Sequence, residues 1–383
     1  MRKSLVAALI IVVVIASGFL LSRTQSDPRP PLTAALDTVP AQTHTANFTN
    51  WSGIRLALEP SVSAAETVSS DSAEATRSAF LDRAYDNDLS AVSVLGSVAE
   101  EMVPSYGWSV FDSRWEMFAQ SDQGAVIVVA LRPGVTDATI VSGLRAVGYD
   151  EPRTGTSAGG VWTISDDATL GKVSAMSTQL VNAAYLADQG LVVFSDNAAY
   201  TKRTTRVIEA ATESFGERRA IAKTSQPVLD SDVAVVRAPK QGCRATSFNK
   251  MDKVDEMDKA DEGDKADEGD RTEAIRLSDA AGGLAAHSGL GLGLRQRDGR
   301  QRLVVAMRFG STATAQDQIG VREPLTRGEA VGQGGTFAER FSNVTGSERE
   351  GVGVLDLRVS DPAAGVLSDL GSGPLLFAWC GAS

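Results

Sequence analysis

The sequence predicts an α+β fold in which an N-terminal transmembrane helix precedes antiparallel sheets with packed helices. Three observations support this prediction. Residues 5–21 form an uninterrupted apolar stretch. The rest of the chain alternates between strand-like and helix-like segments, as α+β domains do. Finally, 43% apolar and 22% charged residues is an ordinary globular composition, which is enough to bury a core.

The apolar stretch from Leu5 to Leu21 is long enough to cross a membrane. Its seventeen residues carry no charge and follow Arg2 and Lys3. A helix of this length reaches about 26 Å, at the short end of a spanning helix. The positive-inside rule then places the N-terminus in the cytoplasm and the bulk of the chain outside the membrane. The alternative for residues 1–22 is a signal peptide cleaved near Ala16-Ser17-Gly18, which would leave a secreted protein.

The negative charge of the chain is concentrated in one segment. Asp252 to Asp270 carries a net charge of −7 out of −11 for the whole chain, in a six-residue repeat DKADEG. Aspartate at every third position does not match the alternate ligand spacing of a calcium loop. We therefore predict an acidic low-complexity insertion over residues 243–275 that stays in solvent, with weak cation binding as the alternative. The low pI of 4.9 argues against a nucleic-acid partner.

Cys243 and Cys380 are the two cysteines of the chain. An even pair in an exported protein predicts one disulfide, and two buried free thiols are the alternative. The cysteines and the two histidines, His44 and His287, lie far apart in sequence without ligand spacing. We therefore expect no metal site and no cofactor.

The exported part begins with residues 23–40, a predicted proline-rich spacer. Residues 41–242 form the predicted first half of the α+β region. It opens with a short predicted strand at QTHTANFT, followed by the helix SAEATRSAFLDRAYDN with Ser72 as its cap. A second predicted helix, LSAVSVLGSVAEEM, stops before Pro104 because proline disfavours helix in the residue before it.

The middle of the chain shows the clearest pattern. WEMFAQS and GAVIVVAL are predicted strands joined by the turn Ser121 to Gly124. Thr136 caps a helix that Gly148 ends, and Asp196 caps a helix that reaches about Ser214. The strands GVWTIS, GLVVFS and DVAVVRA complete the order strand, helix, strand, strand, helix, strand. This order predicts a ferredoxin-like βαββαβ pattern.

Residues 276–383 form a predicted second half. It contains a hairpin around Arg297-Asp298-Gly299, a helix near Thr314 to Val321, and strands at GVLDLRVSD and PLLFAWC. Alternating glycines at 289, 291 and 293 lack the following βα turn of a nucleotide fingerprint, so we predict a strand on which another backbone packs closely. GVWTISDD has a faint likeness to VLDLRVSDP, and LVVFSD to LLFAWC, which leaves a duplication of one module open as an alternative to two unrelated halves.

One short motif resembles a catalytic site. GTSAG at residues 155–159 resembles the nucleophile turn of patatin-like lipases, with Ser157 in the nucleophile position. That turn needs a strand leading into the serine and a helix leaving it. Here the predicted strand GVWTIS follows the serine instead. The order favours a loop, and a secreted serine hydrolase using Ser157 stays as the alternative.

A second set of motifs resembles the serine β-lactamases and penicillin-binding proteins. Ser247-Phe248-Asn249-Lys250 fits S-x-x-K, Ser195-Asp196-Asn197 fits S-D-N, and Lys223-Thr224-Ser225 is near K-T-G. In that family the S-x-x-K motif comes first, whereas here it comes last and runs into the acidic repeat. The sequence therefore favours structural roles for these residues.

SAFLDRAYDNDLSAVSVL, GWSVFDSRWEMFAQS and LVVFSDNAAY together are similar to uncharacterised exported proteins of high-GC Gram-positive bacteria. The similarity covers roughly residues 35–240 and implies a cell-envelope location without implying an activity. The sequence thus predicts a single-pass membrane protein whose folded part is extracytoplasmic. We expect a non-enzymatic binding or assembly module, with the membrane and an envelope protein as its partners.

Overall fold

The computed structural model describes residues 29–58, 71–152, 160–248, 264–360, 365–369 and 375–381. Eleven strands in these ranges form one antiparallel sheet. Among the helices in these ranges, none is long and apolar enough to cross a membrane. The predicted anchor and the GTSAG motif with Ser157 lie outside the described residues.

The strands and helices are numbered in chain order. The strands are β1 Thr45–Thr49, β2 Ser113–Ser121, β3 Gly124–Leu131, β4 Val161–Thr163, β5 Asn182–Leu186, β6 Leu191–Ser195, β7 Val233–Arg237, β8 Leu290–Arg297, β9 Arg300–Arg308, β10 Phe341–Arg349 and β11 Val352–Val359. The helices of the first half are α1 Pro31–Leu36, α2 Trp51–Leu58, α3 Asp71–Asp86, α4 Ala99–Tyr106, α5 Asp137–Val147, α6 Asp167–Met176 and α7 Ala198–Ile208. Those that follow are α8 Arg219–Ser225, α9 Pro239–Ala245, α10 Asp264–Ala280, α11 Thr312–Leu325, α12 Phe337–Arg340 and α13 Val366–Asp369.

The sheet has the strand order β10-β11-β9-β8-β7-β1-β2-β3-β6-β5-β4, and its two halves share one order apart from β4, which has no counterpart in the second half. In the first half β1 is followed by helices, the hairpin β2–β3, helix α5, and then the pair β5–β6, and β3 neighbours β6. In the second half β7 is followed by helices, the hairpin β8–β9, helix α11, and then the pair β10–β11, and β9 neighbours β11. The halves meet where β1 pairs antiparallel with β7. The repeated topology agrees with a duplication of one module, although the sequence likeness aligned the wrong strands, since β11 corresponds to β6 and not to β4.

Both faces of the sheet are covered by apolar side chains because neighbouring residues of a strand point to opposite sides. Ile127 and Val129 of β3 contribute to the larger core, which α2, α3, α4, α5 and α11 cover. Val126 and Val128 of the same strand contribute to the smaller core beneath α1, α7 and α8. Buried on both faces, β3 is the near-continuous apolar run that the sequence predicted for a central strand.

Several sequence predictions are confirmed in detail. The hairpin β2–β3 turns at Ser121 to Gly124, and β8–β9 turns at Asp298 and Gly299, which both have positive φ as a two-residue hairpin turn requires. The Thr136 side chain accepts a hydrogen bond from the Thr139 backbone N–H and caps α5, and Gly148 ends that helix in the left-handed conformation.

The glycines of β8 lie under helix α8 and the turn after it. A Cβ atom on Gly291 would lie 2.9 Å from the Thr224 carbonyl oxygen, and one on Gly293 would lie 2.8 Å from Val228 Cβ. The predicted close approach of another backbone is therefore confirmed at Gly291, whereas side chains of the turn after α8 pack on Gly293. These glycines allow a helix to pack directly on the strand.

The ferredoxin-like pattern is wrong in its pairing. That fold would leave the first and last strands of the motif as neighbours, but β1 and β2 lie between β3 and β7. An unpredicted strand, β5, also separates β6 from β4. β1 and β2 precede the predicted motif in sequence and insert between its first and last strands, whereas β5 lies within the motif and was not predicted as a strand.

Some boundaries also differ from prediction. The spacer ends early, because Leu32, Ala35 and Leu36 lie at helical spacing on α1 and are buried in the core. The acidic insertion also ends early, since α10 begins at Asp264 and buries Ala274. The PLLFAWC segment contains a short 3₁₀ turn at Leu376–Ala378 instead of a strand.

Three helix ends were mispredicted. Asn197, not Asp196, caps α7, and the helix ends at Ile208. The Asp196 carboxylate instead accepts a hydrogen bond from the Ala125 backbone N–H. Helix α4 begins later than predicted and contains Pro104. Helix α3 includes Ser72, which was predicted as its cap.

Candidate functional site

An open cleft of about 1200 Å³ lies in the first half. Helix α1 and the C-terminal end of α7 form two of its walls. The other walls are the turn after β3 and the turn between β5 and β6, which includes Gln189 and Gly190. These segments are distant in sequence and converge at one end of neighbouring strands, where together they form the cleft.

The floor of the cleft is apolar. Trp115 of β2, Leu131 of β3 and Leu191 of β6 line it while keeping only about 5–6% of their surface exposed. These side chains belong to the packed cores, and their edges form the base of the cleft. A ligand would therefore contact a rigid surface.

The rim is charged, and its side chains are already oriented. Arg114 Nε donates to the Leu131 carbonyl at 3.0 Å, and Arg132 Nη1 donates to the Phe111 carbonyl at 3.2 Å. The Tyr185 hydroxyl, which also lines the cleft, donates to Asp137 Oδ1 at 2.7 Å. Side chains fixed in this way lose little conformational entropy when a ligand binds.

Two carboxylates near α1 resemble an acid–base pair. Burial raises the pKa of Asp37, the charge of Glu217 raises it further, and the Arg29 guanidinium at 2.6 Å opposes both effects. Glu217 in turn accepts a hydrogen bond from the Ser214 backbone N–H at 2.7 Å. Both carboxylates are therefore engaged in holding the wall of the cleft. The cleft-lining residues of the described part include no histidine, cysteine or lysine.

The predicted disulfide is confirmed. Cys243 on α9 and Cys380 near the C-terminus are bonded to each other with a Cα–Cα distance of 5.4 Å. The ring of His287 lies beside them and forms a hydrogen bond between Nε2 and the Ala378 carbonyl at 3.0 Å. Burial lowers the pKa of His287 to about 4, so the ring is neutral at physiological pH.

Folding brings together residues that sequence spacing had separated. One ligand atom from each of Cys243, His287 and Cys380 lies within 4.8 Å of the others. Spacing along the chain gave no hint of this cluster because the three residues come from three separate elements. The thiolate is the form of cysteine that binds metals, so the disulfide leaves His287 as the one remaining ligand of the three.

Ser195, Asn197 and Lys223 occupy structural positions, whereas Asn249 and Lys250 of the S-x-x-K motif lie outside the described residues. The Ser195 hydroxyl donates to the Ala125 carbonyl at 2.6 Å, and Asn197 caps α7. Lys223 forms an ion pair with Glu350 at 2.9 Å. His44 lies just before β1, with Nε2 3.3 Å from Asp122 Oδ1.

Ser157, the nucleophile of the alternative hydrolase hypothesis, lies in a stretch that is not described, but the residues on either side of it are. Asp150 and Thr163 form an antiparallel bridge, and β4 begins only after the motif. The strand therefore follows the motif in the chain, as predicted from the sequence. A nucleophile turn requires the opposite order.

Sequence reasoning missed the charged side chains that are buried. Glu116 of β2 is 1% exposed and accepts hydrogen bonds from Trp51 Nε1 and from the backbone N–H groups of Val94 and Leu95. Burial raises the pKa of this carboxyl. The Glu116 carboxylate thus holds Val94 and Leu95 in place. The apolar residues of the segment that contains them had predicted a helix there. The position of Glu116 in an alternating strand, facing the core, was the one available signal.

No protein family and no curated protein matches the chain. Solved structures that are similar to it include two crystal forms of TP0453. Form I has a TM-score of 0.41 and 8% identity, covering 91% of this chain and 99% of that chain. Form III has a TM-score of 0.42 and 8% identity, covering 90% and 99%. Similarity this low assigns neither a family nor an activity.

Proposed function

We propose that this chain is an extracytoplasmic, non-enzymatic binding module, tethered to the membrane by its N-terminal helix, that holds a segment of an envelope protein in the first-half cleft. The observation that carries the proposal is the cleft itself, which combines a rigid apolar floor with oriented charges of both signs. The disulfide agrees with an oxidising location.

The dimensions and chemistry of the cleft favour a peptide over a small metabolite. Its volume of about 1200 Å³ exceeds the roughly 300–1,000 Å³ of most small-molecule sites. Arginine and carboxylate side chains of the lining can pair with the charged groups of a peptide, while Trp115 and Leu191 contact its apolar side chains. A peptide segment offers all three kinds of group.

The second candidate, a secreted serine hydrolase using Ser157, has less support. The bridge between Asp150 and Thr163 surrounds the motif with an order unlike that of a nucleophile turn. A fluorophosphonate probe should therefore leave the protein unlabelled. Labelling that disappears in Ser157→Ala would replace the binding proposal with the hydrolase.

Site-specific photocrosslinking in cells tests the binding proposal. A benzophenone amino acid at Gln189, an exposed residue of the cleft rim, should form a discrete adduct with an envelope protein. The control is the same probe at Ser142, which is exposed on α5 away from the cleft lining. Ala34→Trp, which places an indole into the cleft from α1, should abolish the adduct at Gln189 while leaving the protein folded.

Two results would contradict the proposal. One is an adduct of equal yield from Ser142, which would indicate non-specific proximity. The other is an adduct at Gln189 that persists unchanged in the Ala34→Trp variant, which would exclude the interior of the cleft as the binding site.

A further inference from the structure

Three arginines lie side by side across the second half of the sheet. Leu294 of β8, Leu303 of β9 and Leu357 of β11 are paired across these strands and are fully buried in the larger core. The next residues along the strands are Arg295, Arg302 and Arg358, which are also directly paired. Because successive side chains alternate between faces, this arginine row lies on the opposite face.

The arginine row is electrostatically unfavourable in the isolated protein. Directly opposite residues in an antiparallel pair have Cβ atoms about 4.5–5.5 Å apart, and like charges there are destabilising. Arg302 pairs with Asp356 at 2.8 Å. Asp232 lies near enough to interact with Arg295, but its carboxylate is bonded to Arg297. Within the described residues no carboxylate forms an ion pair with Arg295 or Arg358.

The face that carries the arginine row is covered by α8 and the turn after it as far as Gly293, which leaves Arg295 half-buried, and it is open beyond β8. Arg302 and Arg358 are exposed, and the row continues into Asn343 of β10, which is exposed as well. Thr345 and Ser347, farther along β10 on the same face, are also exposed and uncharged. In the first half the corresponding face is covered by α1 and α7, which bury a second core there.

We propose that the arginine row binds the phosphate groups of anionic lipids at the membrane surface. Arginine forms bidentate hydrogen bonds with phosphate, and three arginines on neighbouring strands span about 10 Å of sheet. The tether supports a membrane as the source of the phosphate. The residues between 22 and Pro31 reach at most about 30 Å when fully extended. The inference rests on the anchoring proposed above but not on the ligand of the cleft.

Fluorescence quenching on the full-length protein in vesicles tests this proposal. Ser347→Cys, on the same face, takes an environment-sensitive dye while the native cysteines stay in their disulfide. Nitroxide-headgroup lipid should quench the dye in phosphatidylglycerol vesicles and not in phosphatidylcholine vesicles. About 0.5 M salt should remove the quenching by screening.

The decisive variant is the triple substitution Arg295→Gln, Arg302→Gln and Arg358→Gln. Each arginine near an anionic surface contributes about fivefold to binding, so the triple variant should weaken docking about 100-fold. It should stay folded, since it removes repulsion between neighbours. The matched control has the same charge change on exposed residues elsewhere, Arg145→Gln, Lys172→Gln and Arg276→Gln; it should quench like the wild type.

Four outcomes would overturn the proposal. Equal quenching in neutral vesicles would show that docking does not need anionic lipid. Unchanged quenching in the triple variant would show that docking does not need the arginine row. An equal loss of quenching in the control triple variant would show that docking depends on the net charge of the protein and not on the arginine row. Displacement by inorganic phosphate at constant ionic strength would assign the row to a small soluble anion. If docking fails while the Gln189 crosslink persists, the binding function stands without this surface.

Discussion

Removing the disulfide should destabilise the protein by about 2–5 kcal/mol, mainly through the unfolded state. Replacing both Cys243 and Cys380 with alanine releases a link between positions 137 residues apart. In the chain-entropy model a loop of that size contributes about 5 kcal/mol at 25 °C, which we take as an upper value. Alanine keeps both sites apolar and adds no buried hydroxyl.

The folded structure should survive this change because other contacts hold the same segment. Arg322, a fully buried arginine of α11, donates to the carbonyls of Phe377 at 2.9 Å and Trp379 at 2.8 Å. His287 hydrogen-bonds the Ala378 carbonyl between them. The folded state should therefore keep its C-terminal contacts, and the change should appear as greater freedom of the unfolded chain.

Urea unfolding followed by tryptophan fluorescence measures this change. The midpoint should fall, and the dependence on urea should become steeper, because the unfolded chain without its crosslink exposes more surface. Wild type treated with reductant should match the double variant. A change below about 1 kcal/mol, or one confined to hydrogen exchange in residues 375–381, would refute the reasoning that the link restrains the whole unfolded chain.

Three further predictions concern single residues. The His287 ring is neutral when folded, with a pKa of about 4, and takes a proton when unfolded. Wild type should thus lose up to about 3 kcal/mol of stability as the pH falls from 6.5 to 4, and His287→Gln should lack this loss; parallel pH profiles would contradict it. Glu116→Ala, which leaves the Trp51 and nearby backbone donors without an acceptor, should lower the unfolding free energy by about 3 kcal/mol, and a loss below about 1 kcal/mol would mean that water replaces the carboxylate. Gly293→Ala should cost about 1–3 kcal/mol by overpacking, whereas Gly320→Ala, in an open helical position, should stabilise by up to about 1 kcal/mol; equal effects in urea titrations would argue against the close helix contact.

Local features of the fold could be predicted because each depends on neighbouring residues. The turn at Asp298 and Gly299 follows from the positive φ values that a two-residue hairpin needs. The cap at Thr136 follows from a hydroxyl placed just before a helical pattern. The disulfide followed from the number of cysteines and the predicted compartment.

Strand pairing could not be predicted, since it is set by contacts between residues far apart in sequence. The order in which β7 joins β1 depends on the packing of both halves. Glu116 is an example at a single residue. Its four hydrogen-bond partners are distant from it in sequence and come close to it only when the chain folds. The cleft could not be predicted for the same reason, because its lining comes from α1, α5, α7, β2, β3, β5 and β6 and from the turns between them.

The central claim is that a hydrophobic N-terminal helix anchors the protein in the membrane with its folded part outside the cytosol. Cell fractionation combined with thiol alkylation tests this claim directly. We expect full-length protein in the membrane fraction, with Cys243 and Cys380 alkylated only after reduction. Full-length protein that is soluble in the cytosol, with both thiols open to alkylation, would contradict it.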